Sequence, residues 1–267
     1  APAARNEIFL VGTGAYACAY VLPILSRRTF HTAVDLNPAL VAVVAERFRF
    51  RHRDTSVDRA FERLSGAAEP IVVLAGYHST HADHAAKAIA ANPDARVMIE
   101  KPPALTVAEA EKLVALRRGG AHIEIGYNRR FAPMTVIARR VIGAAEGPVC
   151  VTCIVKELLI PESHWYRWPT QGTRIFGNLA HWVDIGVCMI DAEPLSLVIA
   201  SAANSKPGDE LSMTVVFADG SRITVVATEL GNGLRGVQEF IDIRRANVTV
   251  QIDDFLRMTT ERGGRRR

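Results

Sequence analysis

A short segment in the first half of the chain combines residues that could move a proton. Glu100, Lys101, Pro102 and Pro103 lie where the apolar run 95–101 gives way to a helical pattern. Proline lacks an amide hydrogen and fixes φ, so the pair should end the strand and hold Lys101 at a set angle. A partly desolvated lysine near another positive charge has a lowered pKa and can exchange a proton with a substrate hydroxyl. The alternative is an exposed lysine at a turn.

A glycine turn near the start of the chain indicates dinucleotide binding. The sequence VGTGAYA contains Gly12, Gly14 and Ala17 in a G-x-G-x-x-A pattern that follows an apolar strand and opens a helix. Such glycines permit a tight turn and the close approach of a pyrophosphate. Asp35 ends the next strand, where a carboxylate binds the adenosine ribose hydroxyls and repels a 2′-phosphate. We therefore expect NAD, with NADP left open; the alternative is a structural turn with Asp35 as a surface cap.

Histidines supply the next candidates for proton transfer. His181 precedes Asp184 by three residues on a predicted helix, so the carboxylate could orient the imidazole toward the reaction of Lys101. The alternative is a buried histidine with a core hydrogen bond, and we interpret Asp184 as structural. Three further histidines recur at a spacing of three: His78, His81 and His84. No carboxylate or cysteine cluster completes a metal shell, so we predict no metal site and expect His81 to cap or buttress a helix.

An aromatic, polar segment indicates sugar binding. Residues 161–174, PESHWYRWPTQGTR, contain Trp165, Tyr166 and Trp168, whose rings can stack on the C–H face of a pyranose. A contact loop between subunits, or a core loop, explains the same residues equally well. Arg167 and Arg174 add donors within the segment, and Lys156 ends a strand close by. The residues we expect to contact substrate are Lys101, Tyr127, Arg129, Lys156, Trp165, Arg167, Arg174, Asn178 and His181.

The elements that must position these residues differ between the two halves. Strands and helices alternate up to about residue 128, which predicts a doubly wound parallel sheet. The second half shows long strands with alternating faces, a hairpin at Asp219-Gly220, and one helix over 175–190. We predict an α/β fold with a dinucleotide-binding Rossmann domain, 1–124, and an α+β substrate-binding and oligomerisation domain with a large, mostly antiparallel sheet, 125–267. An open sheet face favours a homodimer or homotetramer.

Composition excludes several classes of protein. The 267 residues carry a formal net charge of +4, much of it in the basic residues of 262–267, which we interpret as a frayed end. No stripe of basic and aromatic residues indicates nucleic-acid binding. The four cysteines do not form a disulfide framework, and alternation should point Cys150 and Cys153 to opposite faces. No signal peptide or membrane-length apolar run is seen, so we expect a cytoplasmic protein.

Four segments taken together resemble the Gfo/Idh/MocA family of NAD(P)-dependent oxidoreductases. They are GTGAYA, YHSTHADHAAKAI, EKPPALTVAEAEKL and GYNRRFAP, and GTRIFGNLAHWVD is similar to the family's substrate-domain helix. The resemblance implies that Glu100, Lys101 and Pro102 form the family's E-K-P motif, whose lysine contacts nicotinamide and substrate. The expected cofactor contacts are Gly12, Thr13, Gly14, Ala15, Tyr16, Asp35, Gly76, Tyr77, His78, His81, Glu100, Lys101, Pro102 and Asn128.

The chain departs from the family pattern in three places. Gly177, beside Asn178, lies where many members have an aspartate, so the helper acid is absent or supplied differently. His78 lies where an amide is usual. The chain also ends earlier than relatives do, which suggests that it is shortened.

The resemblance implies hydride exchange between nicotinamide and a sugar, aminosugar or cyclitol, including phosphorylated or nucleotide-linked ones, with Lys101 as proton relay and His181 assisting. Two alternatives stay open. One is a non-catalytic, regulatory NAD-binding protein of the same fold, and the other is an NAD-dependent lyase or glycosidase that uses transient oxidation.

Overall fold

The structure is a computed structural model that describes residues 6–25, 27–201, 210–231, 233 and 236–266. The chain divides into two compact units. The first comprises Ala1–Gly126 together with Pro169–Gly172, and the second comprises Tyr127–Trp168 and Thr173–Arg267. The predicted boundary lies between residues 124 and 125. The structure in addition assigns Pro169–Gly172 to the first unit, which was not predicted.

The first unit contains a parallel sheet whose strand order is β3-β2-β1-β4-β5-β6. Its strands are β1 (Ile8–Val11), β2 (Phe30–Val34), β3 (His52–Asp54), β4 (Ile71–Leu74), β5 (Arg96–Ile99) and β6 (His122–Ile125). All neighbouring pairs are parallel. The order reverses direction at β1, as in dinucleotide-binding sheets, so the predicted Rossmann fold is confirmed.

Apolar side chains cover both faces of this sheet, as its continuous apolar strands require. Phe9, Val72 and Ile99 contribute to the core on one face, and Leu10 and Val73 contribute to the core on the other. The helices of this unit are α1 (Pro38–Phe48), α2 (Val57–Glu62), α3 (His81–Ala91) and α4 (Val107–Arg118).

The starts of these helices follow their sequence signals. The Asn37 side chain accepts hydrogen bonds from two amides of the first turn of α1, and Pro38 occupies that turn. Thr106 and Glu109 form the predicted capping box of α4. The elements β3 and α2 were not predicted from the sequence, since β3 is three polar residues long and carries no apolar alternation.

The second unit contains an eight-stranded sheet with the order β14-β13-β12-β11-β7-β10-β9-β8 among the described residues. Its strands are β7 (Val149–Lys156), β8 (Pro194–Ser201), β9 (Leu211–Phe217), β10 (Arg222–Thr228), β11 (Gln238–Arg245), β12 (Val248–Asp253), β13 (Arg257–Arg262) and β14 (Arg265–Arg266). The pair β7–β10 is parallel and the other pairs are antiparallel. The predicted mostly antiparallel sheet is confirmed. The alternating segment 195–204 predicts one of its long strands, which is seen as β8, and residues 202–204 lie outside the described residues.

Two expectations for the second unit were wrong. A helix that sequence analysis missed, α5 (Pro133–Gly143), precedes α6 (Ala180–Val187). Two sequence signals mark this helix. A proline lies in its first turn, and the residues at helical spacing that become buried are Thr135, Ala138 and Ile142. The second wrong expectation is the frayed basic end. Residues up to Arg266 are ordered in a hairpin, because β14 pairs with β13, and Gly263 and Gly264 form the turn between them with positive φ.

The turn and face predictions in this sheet are confirmed. Asp219 and Gly220 connect the antiparallel strands β9 and β10, and Gly220 has φ +84°. Along β7, Cys153 is fully buried while Cys150 is half-buried on the other face, as strand alternation predicts. Within the described residues, no helix is long and apolar enough to span a membrane, and the cytoplasmic location stays a prediction.

Candidate active site

Gly12 and Gly14 of the glycine turn differ in what surrounds them. Gly12 has φ +91°, and a Cβ built there would lie 2.4 Å from the Ala75 carbonyl oxygen. Its amide donates to the Val34 carbonyl at 2.9 Å, which ties the turn to β2. At Gly14 a Cβ would meet nothing within 4 Å. Gly12 is therefore required by the fold, whereas Gly14 leaves open space beside the backbone.

Asp35 follows β2 and is bound to the same turn. Its Oδ2 accepts hydrogen bonds from the Thr13 amide at 2.7 Å and the Thr13 hydroxyl at 2.9 Å, and its Oδ1 accepts from the Asn37 amide at 3.0 Å. Thr13 is fully buried. The carboxylate is thus fixed in position before any ligand binds, and Oδ1, which accepts one hydrogen bond, keeps a lone pair for a ribose hydroxyl.

The helix after the glycine turn is shorter than expected. Helical backbone starts at Ala15, becomes a π-helical turn over Ala17–Val21, and the amide of Leu22 donates to the Ala17 carbonyl at 2.9 Å. The apolar spacing of residues 15–25 predicts a helix that reaches Leu25, with Pro23 as an interruption. Pro23 has no amide hydrogen, so the helix does not continue across it.

The E-K-P segment lies at the carboxyl end of β5. Glu100 is buried and packs against Gly126, where a Cβ would come within 2.9 Å of its Oε1. Burial raises the pKa of Glu100. The Lys101 charge and hydrogen bonds from the Lys101 amide and the Tyr16 hydroxyl lower it, but burial has the larger effect. Lys101 is half-buried, and the Lys101–Pro102 peptide bond is cis.

Two buried histidines lie near Lys101. His81, at the start of α3, donates from Nδ1 to the Pro102 carbonyl at 2.8 Å, and His78 donates from Nδ1 to the Gln171 carbonyl at 3.0 Å. Carbonyls only accept, so both rings carry the proton on Nδ1. Burial lowers the pKa of His78 to about 4 and lowers that of His81, and the Lys101 charge adds to both shifts. Both imidazoles are therefore neutral at physiological pH.

In the second unit, His181 lies on α6 and is buried. Its ring meets that of Tyr127 edge to face, with centroids 5.8 Å apart. Burial and the charge of Asp184 raise the pKa of Tyr127 to about 12, so its hydroxyl stays protonated. The Asp184 carboxylate binds the Arg130 guanidinium through both oxygens. That ion pair accounts for Asp184, which fits its interpretation as structural.

The other predicted substrate contacts are spread over several elements of this unit, and most already have partners in it. The Arg129 guanidinium binds Glu239 at 2.8 Å, and its Cζ lies 4.7 Å from the Trp182 ring centroid. The side chains of Lys156, Arg167 and Arg174 donate to main-chain carbonyls of Gly236, Ile160 and Leu158. Asn128 begins a short 3-10 turn.

Asn178 lies in a second π-helical turn, Ile175–Leu179, directly before α6. Its amide donates to Glu157 Oε2 at 3.1 Å, and Glu157 is buried at the end of β7. In the aromatic segment, the Trp165 and Tyr166 rings pack edge to face with centroids 4.4 Å apart, and Trp168 is exposed. Two residues were not predicted from the sequence: Glu157, which follows Lys156, and Gln171, which lies within the aromatic segment 161–174.

The residues of the first unit fit a dinucleotide. The glycine turn has a conformation that only glycine adopts easily, open space at Gly14, and a fixed carboxylate at the end of β2. The first amides of a helix lack intrahelical partners and suit a phosphate. These features define the class: an α/β protein with a dinucleotide-binding domain.

Comparison with known proteins agrees with this class. Residues 7–123 match the model of the Gfo/Idh/MocA family, described as an oxidoreductase family with an NAD-binding Rossmann fold. Residues 7–123 are therefore similar to the NAD-binding domain of these oxidoreductases, which agrees with the resemblance seen in the sequence. No curated protein sequence matches the chain.

Several solved structures share the fold over nearly the whole chain. Aldose-aldose oxidoreductase from Caulobacter crescentus, crystallised with glycerol, has a TM-score of 0.82 and 19% identity, covering 98% of this chain and 82% of its own. UDP-N-acetylglucosamine 3-dehydrogenase from Acidithiobacillus ferrooxidans has a TM-score of 0.81 and 19% identity, covering 98% and 81%. A levoglucosan dehydrogenase, in complex with NADH and L-sorbose, has a TM-score of 0.81 and 18% identity, covering 98% and 78%. At these identities the likeness shows the fold alone.

Proposed function

We propose that this protein is an NAD-dependent dehydrogenase of sugars, aminosugars or cyclitols, including phosphorylated or nucleotide-linked forms. The observation that carries the proposal is the position of Lys101, at the carboxyl end of β5 between buried Glu100 and Pro102. Carboxyl ends of parallel strands are where ligands bind in such sheets. The sugar-acting enzymes that share the fold support the substrate class.

Lys101 relays the proton in this proposal. In oxidation, its neutral amine takes the proton of the substrate hydroxyl as the hydrogen on the same carbon leaves as hydride, and in reduction it returns the proton. Bound NAD supplies the chemistry of accepting or donating that hydride. His78 and His81 are neutral, so they add no positive charge around the lysine.

His181 acts on the substrate in a supporting role. Its buried ring contacts Tyr127, whose hydroxyl stays protonated, and both groups can hydrogen-bond a hydroxyl or a carbonyl oxygen. Asn178 is oriented by Glu157 and adds a polar amide on the segment that leads into α6. Trp165 and Trp168 belong to the aromatic segment that we assign to sugar stacking.

Lys101→Met tests the proton relay. We expect turnover to fall by about 10²–10⁴-fold, the usual contribution of a positioned acid–base group, while NAD binding is nearly unchanged. Turnover is followed by nicotinamide absorbance with a panel of sugars and cyclitols, and NAD binding by calorimetry. Lys112→Met is the matched control, since Lys112 is an exposed helix residue paired with Asp83.

The same measurements separate the alternatives. Full activity in Lys101→Met would rule out the relay. Tight NAD binding by the wild-type protein with no absorbance change for any sugar would favour the non-catalytic reading. Product formed without net reduction of NAD, detected by mass spectrometry, would favour lyase or glycosidase chemistry.

We also propose that a second copy covers the open face of the eight-stranded sheet, giving a homodimer or homotetramer. Ile154, Val226 and Phe240 are in register on that face, and Ile154 and Val226 are exposed. Ile154→Lys should dissociate the assembly in light scattering, whereas Leu256→Lys, at an exposed turn, should not. A monomeric wild-type protein would contradict this.

A further inference from the structure

The segment Pro169–Gly172, here called the anchor segment, belongs to the first unit although it follows much of the second in sequence. It forms a short 3-10 turn over Pro169–Gln171. Gln171 is 4% exposed, while Thr170 beside it is exposed. A buried glutamine must have its polar groups bonded, so its partners show what the segment does.

Gln171 binds two consecutive residues of one turn. Its carbonyl accepts from His78 Nδ1 at 3.0 Å. Its side-chain Oε1 accepts from the Ser79 amide at 3.4 Å, and its Nε2 donates to the Ser79 hydroxyl at 3.0 Å. Main chain and both ends of the side chain therefore hold the turn Tyr77–Thr80, here called the β4 turn.

The β4 turn directly follows residues that contact the glycine turn. It follows β4 at the carboxyl edge of the sheet, and the residues before it lie against the glycine turn. A Cβ at Gly12 would be 2.4 Å from the Ala75 oxygen and 2.5 Å from the Gly76 nitrogen. A shift of the β4 turn would therefore change the space available beside the glycine turn.

The contact also fixes the state of His78. The Gln171 carbonyl can only accept, so Nδ1 keeps its proton and Nε2 is the acceptor of the ring. The other titratable groups that act on His78 are His81 and Lys101, both in the same unit. The anchor segment thus sets the orientation and the tautomer of a ring close to the proposed proton relay.

We propose that Gln171 is a positioning residue of the cofactor site, which holds the β4 turn and His78 in the arrangement that binds NAD. The proposal rests on the proposed function, because it assumes that NAD binds beside this turn. It adds to the site a residue that lies outside the segment 7–123 matched by the family model.

Gln171→Ala removes the side chain and keeps the carbonyl. We expect the dissociation constant for NAD⁺ to rise about tenfold, since two hydrogen bonds to Ser79 are lost. Gln251→Ala is the matched control, because Gln251 also donates one side-chain bond, to Asp242, but in the second unit. Ser79→Ala removes only the hydroxyl bond and keeps the amide bond, so it should weaken binding less. The double variant should be no worse than Gln171→Ala if both act through this contact.

Gln171→Glu keeps the shape and adds a carboxylate near His78. We expect it to favour the imidazolium, so that NAD⁺ binding weakens as the pH falls below roughly 6, where the wild-type histidine is still neutral. NADH binding should depend less on pH, because its nicotinamide ring is uncharged. A change in folding alone would affect NAD⁺ and NADH alike.

The outcomes separate this proposal from the proposed function. Wild-type protein that binds neither NAD⁺ nor NADH would contradict both. Wild-type protein that binds NAD, together with Gln171→Ala and Gln171→Glu variants that bind like wild type at every pH, would overturn the role of Gln171 alone. Equal losses in Gln171→Ala and Gln251→Ala would also overturn it.

Discussion

The predicted site residues of the two units differ in how they are held. In the first unit Lys101, His78 and His81 lie at strand ends or helix starts, and main-chain carbonyls orient both rings. In the second unit, Arg129 and Arg174 were chosen for residue type on loops, and both are bonded within that unit. The candidate rings of the first unit are therefore oriented by the main chain, whereas the two arginines of the second unit already have partners in that unit.

The largest expected effect separates the two glycines of the first unit. Gly12→Ala places a Cβ against the Ala75 carbonyl at positive φ, which should cost about 3 kcal/mol or more in free energy of unfolding. Gly14→Ala meets no atom within 4 Å, so its unfolding midpoint should match wild type. Its NAD affinity should nevertheless fall about tenfold, because the backbone approach is blocked. Chemical denaturation and calorimetry measure the two quantities. Wild-type NAD affinity in Gly14→Ala would show that the cofactor does not approach there.

Arg129→Met tests whether the charged groups of the second unit are structural. The substitution removes the positive charge beside the mostly buried Glu239, whose Oε2 then accepts, among the described residues, only from the Trp182 Nε1, at 2.6 Å. Loss of the ion pair should cost about 2–3 kcal/mol in free energy of unfolding. The KM for substrate should stay unchanged. Arg140→Met, on the exposed face of α5, is the control. Unchanged stability with a raised KM would instead support the substrate contact predicted from sequence.

The buried histidines of the first unit predict a pH dependence of stability. The pKa of His78 is about 4 in the folded protein, below its ordinary 6.5, so the unfolded chain binds a proton that the folded protein does not. Stability should therefore fall with acidification, by roughly 1.5 kcal/mol between pH 6.5 and 5 from His78. His78→Asn should reduce this slope in urea denaturation series. An unchanged slope would mean that His78 is not held neutral.

The smallest expected effect concerns cofactor choice. Asp35 is fixed by Thr13 and Asn37, so it cannot turn away from a 2′-phosphate. Asp35→Ser should weaken NAD binding about tenfold while improving that of NADP, since a negative charge and a ribose contact are lost. Thr13→Val should weaken NAD less and leave the preference for NAD in place. Equal binding of NAD and NADP by the wild-type protein would contradict this role.

The sequence predicted the sheet of the first unit well because its signals are local. Apolar runs, the glycine turn and the capping box at Thr106 each act within a few residues. The polar strand β3 and the π-helical turn after Gly14 were not predicted, since β3 lacks an apolar periodicity and no residue pattern in the sequence distinguishes a π-helical turn from an α-helix. Gln171 carried no local signal, because its role depends on a contact with His78, which lies 93 positions away in sequence.

The anchor segment has a consequence for the order in which the protein is made. A ribosome completes every strand of the parallel sheet before it reaches Gln171. The nascent first unit therefore lacks its contacts with the anchor segment until residues 169–172 have been synthesised. In the meantime β7 emerges without either neighbour, since β10 and β11 are both translated later. The growing polypeptide therefore exposes unpaired strand edges and uncovered apolar surface in both units during its synthesis. Chaperones would protect the chain in that interval.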